Sequence, residues 1–107
     1  MTAERRVVVG VAFIQLIQFQ TDKMEEGKKH VDAYLAATEG RRTVERSILC
    51  QDRDKPGHYV NIVFFDSYED AMKNSEMPET GELAAKLGEL STGPQVFSNL
   101  DVVFEQS

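Results

Sequence analysis

Tryptophan is absent from this chain, cysteine occurs once, and no apolar run approaches the roughly 20 residues that span a bilayer. A lone Cys50 cannot close an internal disulfide, and no Cys/His group stands at zinc spacing. A disulfide scaffold and a structural zinc are therefore excluded, and a cytoplasmic setting is expected. Glycine-rich phosphate loops are missing as well: neither GxGxxG nor GxxxxGK occurs, so nucleotide binding has no support. Positive charge is scarce. Twelve Lys and Arg stand against eighteen Asp and Glu, for a net charge of −6. No basic stretch extends beyond Arg5-Arg6, Lys28-Lys29 and Arg41-Arg42, which argues against nucleic acid as a partner. The longest apolar run, Val7 to Ile14, follows Arg5-Arg6 in the manner of a secretion leader. Gln15, Gln18 and Gln20 interrupt its continuation and no small-x-small cleavage site closes it, so it reads as a strand rather than a leader or a membrane helix.

With 107 residues, of which 41% are hydrophobic, the chain suits one domain over 1–107 with a modest core that partner subunits would reinforce. Val7 to Gln20 is rich in β-branched and aromatic residues and predicts a long first strand with a bulge at Gly10. Asp22 with Glu25 three residues on predicts a helix N-cap. Met24, Val31, Tyr34, Leu35 and Thr38 then recur at helical spacing until Gly40 supplies a left-handed stop. Thr43 to Gln51 alternates again, with Val44, Arg46, Ile48 and Cys50 on one side. Lys55-Pro56-Gly57-His58 has the order of a type II turn, which returns the chain antiparallel as Tyr59 to Phe65. Ser67 with Asp70 caps a second helix, Pro78 ends or restarts it, and Leu83, Leu87 and Leu90 mark a third helical stretch. Val96 to Phe104 is the last strand. The resulting order, β-α-β-β-α-β with the second helical region split, is an α+β ferredoxin-like arrangement with an antiparallel sheet and its helices on one face.

Both faces of the third strand are apolar: Tyr59, Val63 and Phe65 on one, Val60, Ile62 and Phe64 on the other. Helices cover only one face, so the other is expected to pack sheet-to-sheet against a second copy in a homodimer. His30 and His58 have no partner at metal-ligand spacing and read as surface residues. Ser67 lacks a nucleophile elbow, and the acidic pairs Glu25-Glu26 and Glu69-Asp70 lie in helix first turns, where the dipole suits them. Two amides break the pattern. Gln15 shares a face with Phe13, Ile17 and Phe19, and Asn61 shares one with Tyr59, Val63 and Phe65. An amide on an apolar sheet face is either satisfied by a neighbour or holds the oxygen of a ligand in an apolar pocket.

The element order, with Tyr59-Val60-Asn61-Ile62-Val63-Phe64-Phe65-Asp66-Ser67-Tyr68-Glu69-Asp70-Ala71 and the closing Phe97-Ser98-Asn99-Leu100-Asp101-Val102, resembles the antibiotic-biosynthesis monooxygenase family of dimeric α+β barrels. The resemblance runs from about Ala12 to Phe104. It implies a cofactor-independent monooxygenase that oxidises a flat aromatic, such as a phenol, hydroquinone or polyketide-like molecule, with O₂. In such oxygenases an Asn on the third strand and a Trp four residues later line the pocket; Asn61 matches the first, and Phe65 stands where the Trp would be. Asn61 is then the catalytic candidate, with Gln15, Tyr59, Phe65 and Tyr68 as substrate-binding candidates and no cofactor or metal expected. Lys86 is the nearest by type to a helical Arg of those enzymes. The haem-degrading branch requires an axial His after the third strand, and Ala71 to Leu90 contains none. The alternatives are a non-catalytic dimer that binds a small hydrophobic ligand, and a polyketide cyclase or isomerase on the same fold.

Overall fold

The computed structural model describes residues 12–106. The elements run β1 (Phe13–Gln20), α1 (Met24–Ala37), β2 (Val44–Gln51), β3 (His58–Phe65), α2 (Tyr68–Glu76), α3 (Pro78–Leu90) and β4 (Val96–Asp101). The strands form one antiparallel sheet in the order β2-β3-β1-β4, the ferredoxin-like arrangement expected from the sequence. The expected bulge at Gly10 and the beginning of the first strand lie outside the described residues. At the other end the last strand stops at Asp101, short of Phe104. Asp101 is the last residue of β4 to pair with β1, opposite Phe13, and Val103 and Phe104 stand 92% and 78% exposed.

Local chemistry explains most of the boundaries. Gly57 takes a φ of +82°, and the His58 N–H donates to the Lys55 carbonyl at 3.1 Å, which closes the Pro-Gly turn between β2 and β3. Gly40, at φ +83°, reverses the chain after α1. The Ser67 hydroxyl accepts from the Asp70 N–H at 3.0 Å and caps α2, while Pro78 opens α3 in the first turn, where its missing N–H costs nothing. The cap expected at Asp22 does not form: Lys23 occupies the N-cap position of α1 without a side-chain cap bond. Buried Thr21 takes over instead. Its hydroxyl accepts from the Lys23 N–H at 3.0 Å and donates to the Leu90 carbonyl at 2.7 Å, tying the start of α1 to the end of α3.

A bulge corrects the simple alternation of β2. Val44 pairs with Phe65 and Arg46 with Phe64, so Glu45 is extra and the parity of the strand changes there. Val44 thus joins Ser47, Leu49 and Gln51 on the helix side, and only Arg46, Ile48 and Cys50 remain on the opposite side with Ile62 and Phe64. The Arg46 guanidinium lies 5.8 Å from the centre of the Phe64 ring on that outer face.

The helix side is filled unevenly. At one end α2 sits down on the sheet, and Phe13, Val63, Phe65 and Ala71 form the buried core with Ile17 and Val44 against it. At the other end α1 packs on α3, and no Cα of either helix comes within 8 Å of a strand Cα. Tyr34 joins the three helices: its hydroxyl lies 3.0 Å from the Thr80 hydroxyl, and the Asn74 side-chain NH₂ reaches it at 3.5 Å. Among the described residues no helix is long and apolar enough to cross a membrane.

Candidate functional site

Where α1 and α3 stand off the sheet, a cavity of about 220 Å³ opens beneath them. Its floor is the sheet: Ile17 and Phe19 from β1, Asn61 from β3 and Leu49 from β2. Its roof is helical, with Met24, Gly27 and Val31 from α1 and Leu87 and Leu90 from α3. Thr21, Lys23, Lys28, Asp32 and Gln95 complete the lining. The cavity exists because two apolar helix stripes face each other and the sheet together without side chains long enough to fill the space between them.

Asn61 is the polar group of the floor. It pairs with Ile17 on one side and Leu49 on the other, so apolar side chains flank it in both directions across the sheet. The Ser47 hydroxyl donates to its Oδ1 at 3.1 Å. That bond fixes the amide, and among the described residues its Nδ2 donates to no protein group, which leaves a hydrogen-bond donor for whatever enters.

The remaining residues singled out from the sequence are not gathered around Asn61. Phe65 is 1% exposed and lies in the core under α2, roughly 13 Å along the strand from Asn61. It does not line the cavity. Tyr68 is 52% exposed, with its ring edge on Phe13 at 5.4 Å, also at the closed end. Gln15 shares the helix side but donates through Nε2 to the Asn99 Oδ1 at 3.3 Å, beyond the cavity wall. Tyr59 stands behind the wall: it stacks on Phe19, which does line the cavity, at 5.5 Å between centroids and 19° between planes. Lys86 lies on the outer groove between α1 and α3, with His30 and Tyr34. His58 sits on β3 with its side chain on the outer sheet face, beside neither Asn61 nor the cavity.

Reading the sequence for an aromatic pair on β3 missed the residues that do form the walls. Met24, Val31, Leu87 and Leu90 carry the signal in their helical spacing, but spacing marks an inward face and does not tell a filled interior from an open one. Lys23, Lys28 and Asp32 carried no signal. Among the described residues no group of three or more His, Cys, Asp or Glu could hold a metal ion.

No protein-family model matches the chain, and no curated protein is significantly similar to it in sequence. Solved structures do match over most of its length. A conserved protein from Methanosarcina mazei superposes with a TM-score of 0.74 at 11% identity, covering 85% of this chain and 92% of that one. A candidate antibiotic biosynthesis monooxygenase from Nitrosomonas europaea gives 0.73 at 13% identity, covering 95% and 100%. SnoaB, a cofactor-independent oxygenase from Streptomyces nogalater, gives 0.73 at 19% identity, covering 89% and 96%. The chain therefore has the fold of the antibiotic biosynthesis monooxygenases. At these identities the likeness defines the architecture and leaves the chemistry to the site.

Proposed function

We propose that this protein is a cofactor-independent monooxygenase-like enzyme for a small, flat, electron-rich aromatic, and that the cavity over Asn61 is its substrate site. The observation that carries this reading is the free Nδ2 donor of Asn61 in an otherwise apolar floor. A phenol bound there gives its proton to solvent water at the mouth, and the phenolate passes one electron to O₂; recombination of the phenoxyl radical with the superoxide formed, return of a proton and loss of water leave the quinone. The ring is held by Ile17, Leu49 and the Phe19–Tyr59 stack, while Nδ2 hydrogen-bonds the oxygen on which negative charge develops. Likeness of fold to a cofactor-independent oxygenase supports the same direction.

Size narrows the choice among aromatics. A cavity of about 150 Å³ accommodates benzene, and drug-sized ligands occupy pockets from about 300 Å³ upward. At about 220 Å³ the site suits one ring, or two fused rings, rather than a polyketide-sized intermediate. The outer sheet face, with Ile48, Ile62 and Phe64 half-buried and Leu100 42% exposed, supports a sheet-to-sheet homodimer.

The Ser47–Asn61 bond also favours a second reading, a non-catalytic dimer that binds a small hydrophobic ligand, since it satisfies half of the amide without a substrate. Oxygen uptake with a panel of alkylphenols, hydroquinones and anthrones separates the two. The expected result is uptake above the uncatalysed rate, reduced about 100-fold or more in Asn61→Ala, the usual cost of losing one oxyanion donor. Ligand binding with no uptake across the panel selects the binding protein or, where a polyketide substrate is rearranged without oxygen, the cyclase.

A further inference from the structure

The lining of the cavity is apolar except at four side chains besides Asn61 and Thr21, and three of those four are charged: Lys23, Lys28 and Asp32. In a chain of net charge −6 this is an unusual balance, with the two lysines outnumbering the one carboxylate. All three are exposed, so their charged ends stand at the rim while the alkyl stems of the lysines form part of the wall. Among the described residues neither lysine forms a salt bridge; the ion pair there is Arg41 with Glu79 at 2.7 Å, in the first turn of α3 and outside the cavity lining. The lining therefore offers a ligand a free amide donor within and two lysine ammonium groups against one carboxylate at the mouth.

We propose that the ligand of this cavity is an aromatic of one or two rings bearing an ionised carboxylate, which Lys23 and Lys28 select at the rim. The proposal rests on the cavity being the ligand site and goes further by assigning the charge of the ligand and the residues that read it. The ring fills the apolar interior, and the anion remains at the mouth, where it keeps part of its hydration and needs no full desolvation. Both lysines act through charge at an exposed site, so their effect weakens as salt screens it.

The test compares 2-naphthoate with 2-naphthamide, which match in shape and differ in charge, by titration calorimetry of the full chain at low and at high salt. Naphthoate is expected to bind about fivefold or more tightly than naphthamide at low salt, with the ratio shrinking at high salt. Lys23→Gln and Lys28→Gln are surface substitutions that leave the fold intact. Each should weaken naphthoate by about two- to fivefold and naphthamide, which loses only contact with the shortened stem, by less, and the double variant should bring the two probes together. Equal affinities in the unsubstituted protein overturn the charge selection while leaving the cavity as a ligand site. Absence of binding by both probes overturns the cavity as a ligand site and the charge selection with it.

Discussion

Gly27 offers a test in which stability and binding move in opposite directions. It is buried in the first turn of α1, its N–H donating to the Lys23 carbonyl at 3.0 Å, and its φ is not positive. Nothing in the backbone demands glycine there. A Cβ built at this position would meet the Leu87 Cδ2 at 3.6 Å and the Leu90 Cδ1 at 4.0 Å, ordinary van der Waals contact. Glycine in a helix costs about 1 kcal/mol relative to alanine, somewhat less near an end, and a newly buried methyl adds about 0.8 kcal/mol. Gly27→Ala should therefore stabilise the protein by about 1 to 2 kcal/mol, or roughly 4–8 °C in Tm for a chain of this size. The same methyl enters the cavity roof, because Gly27 lines it. Ligand affinity should fall while Tm rises, both measured at one fixed protein concentration, since an oligomer makes Tm concentration-dependent. A lower Tm would show that the helices stand closer than described. A higher Tm with unchanged affinity would place the ligand elsewhere.

Three further outcomes follow from the surface. The Glu45 carboxyl faces that of Asp66, with Asp70 nearby, and its pKa is raised above the ordinary 4.5; Glu79, held by Arg41, is lowered below the same value. For Glu45 the folded state favours the protonated form. Its contribution is present below the ordinary value and lost as pH rises through the raised one, so Glu45→Gln should melt higher than the unsubstituted protein at neutral pH and converge with it in acid. Glu79 contributes above the ordinary value and loses that contribution as pH falls through the lowered one, so Glu79→Gln should melt lower at neutral pH and converge in acid. Thermal unfolding between pH 3 and pH 8 checks both, and curves that stay parallel to the unsubstituted protein would refute the assignment. On the outer sheet face, Ile62→Glu should convert a dimer to monomer by light scattering without changing the circular dichroism; an unchanged mass would remove that face as the interface.

The order of elements, the antiparallel sheet and the cap at Ser67 were legible because each rests on a local rule: alternation, a Pro-Gly turn, a hydroxyl three residues before a backbone N–H. The bulge at Glu45 was not legible, because Val44 and Arg46 are both compatible with a strand and only the pairing with Phe65 and Phe64 shows which residue is extra. Asp22 failed as a cap for a related reason: the competing hydroxyl of Thr21 is fixed by Leu90, a residue 69 positions away. Such contacts are invisible to any window of sequence.

The site divides along the same line. Asn61 stood out because an amide breaks an apolar face, which a sequence displays directly. Phe65 was grouped with it because both lie on that face, yet the face is not one environment. Ala71, 1% exposed, lets α2 settle onto the sheet over Phe13 and Phe65 and closes that end. At the other end Thr21 fixes α1 to α3 rather than to the strands, and the gap opens over Ile17, Leu49 and Asn61. Periodicity states which residues face inward, but how far each helix stands from the sheet depends on the size of the side chains that meet there. Small residues at one end and helix-to-helix ties at the other make one strand serve as core at Phe65 and as cavity floor at Asn61. An amide and an aromatic four residues apart on β3 therefore lie in different environments here, and the aromatic that shares the cavity lining with Asn61 is Phe19, backed by Tyr59.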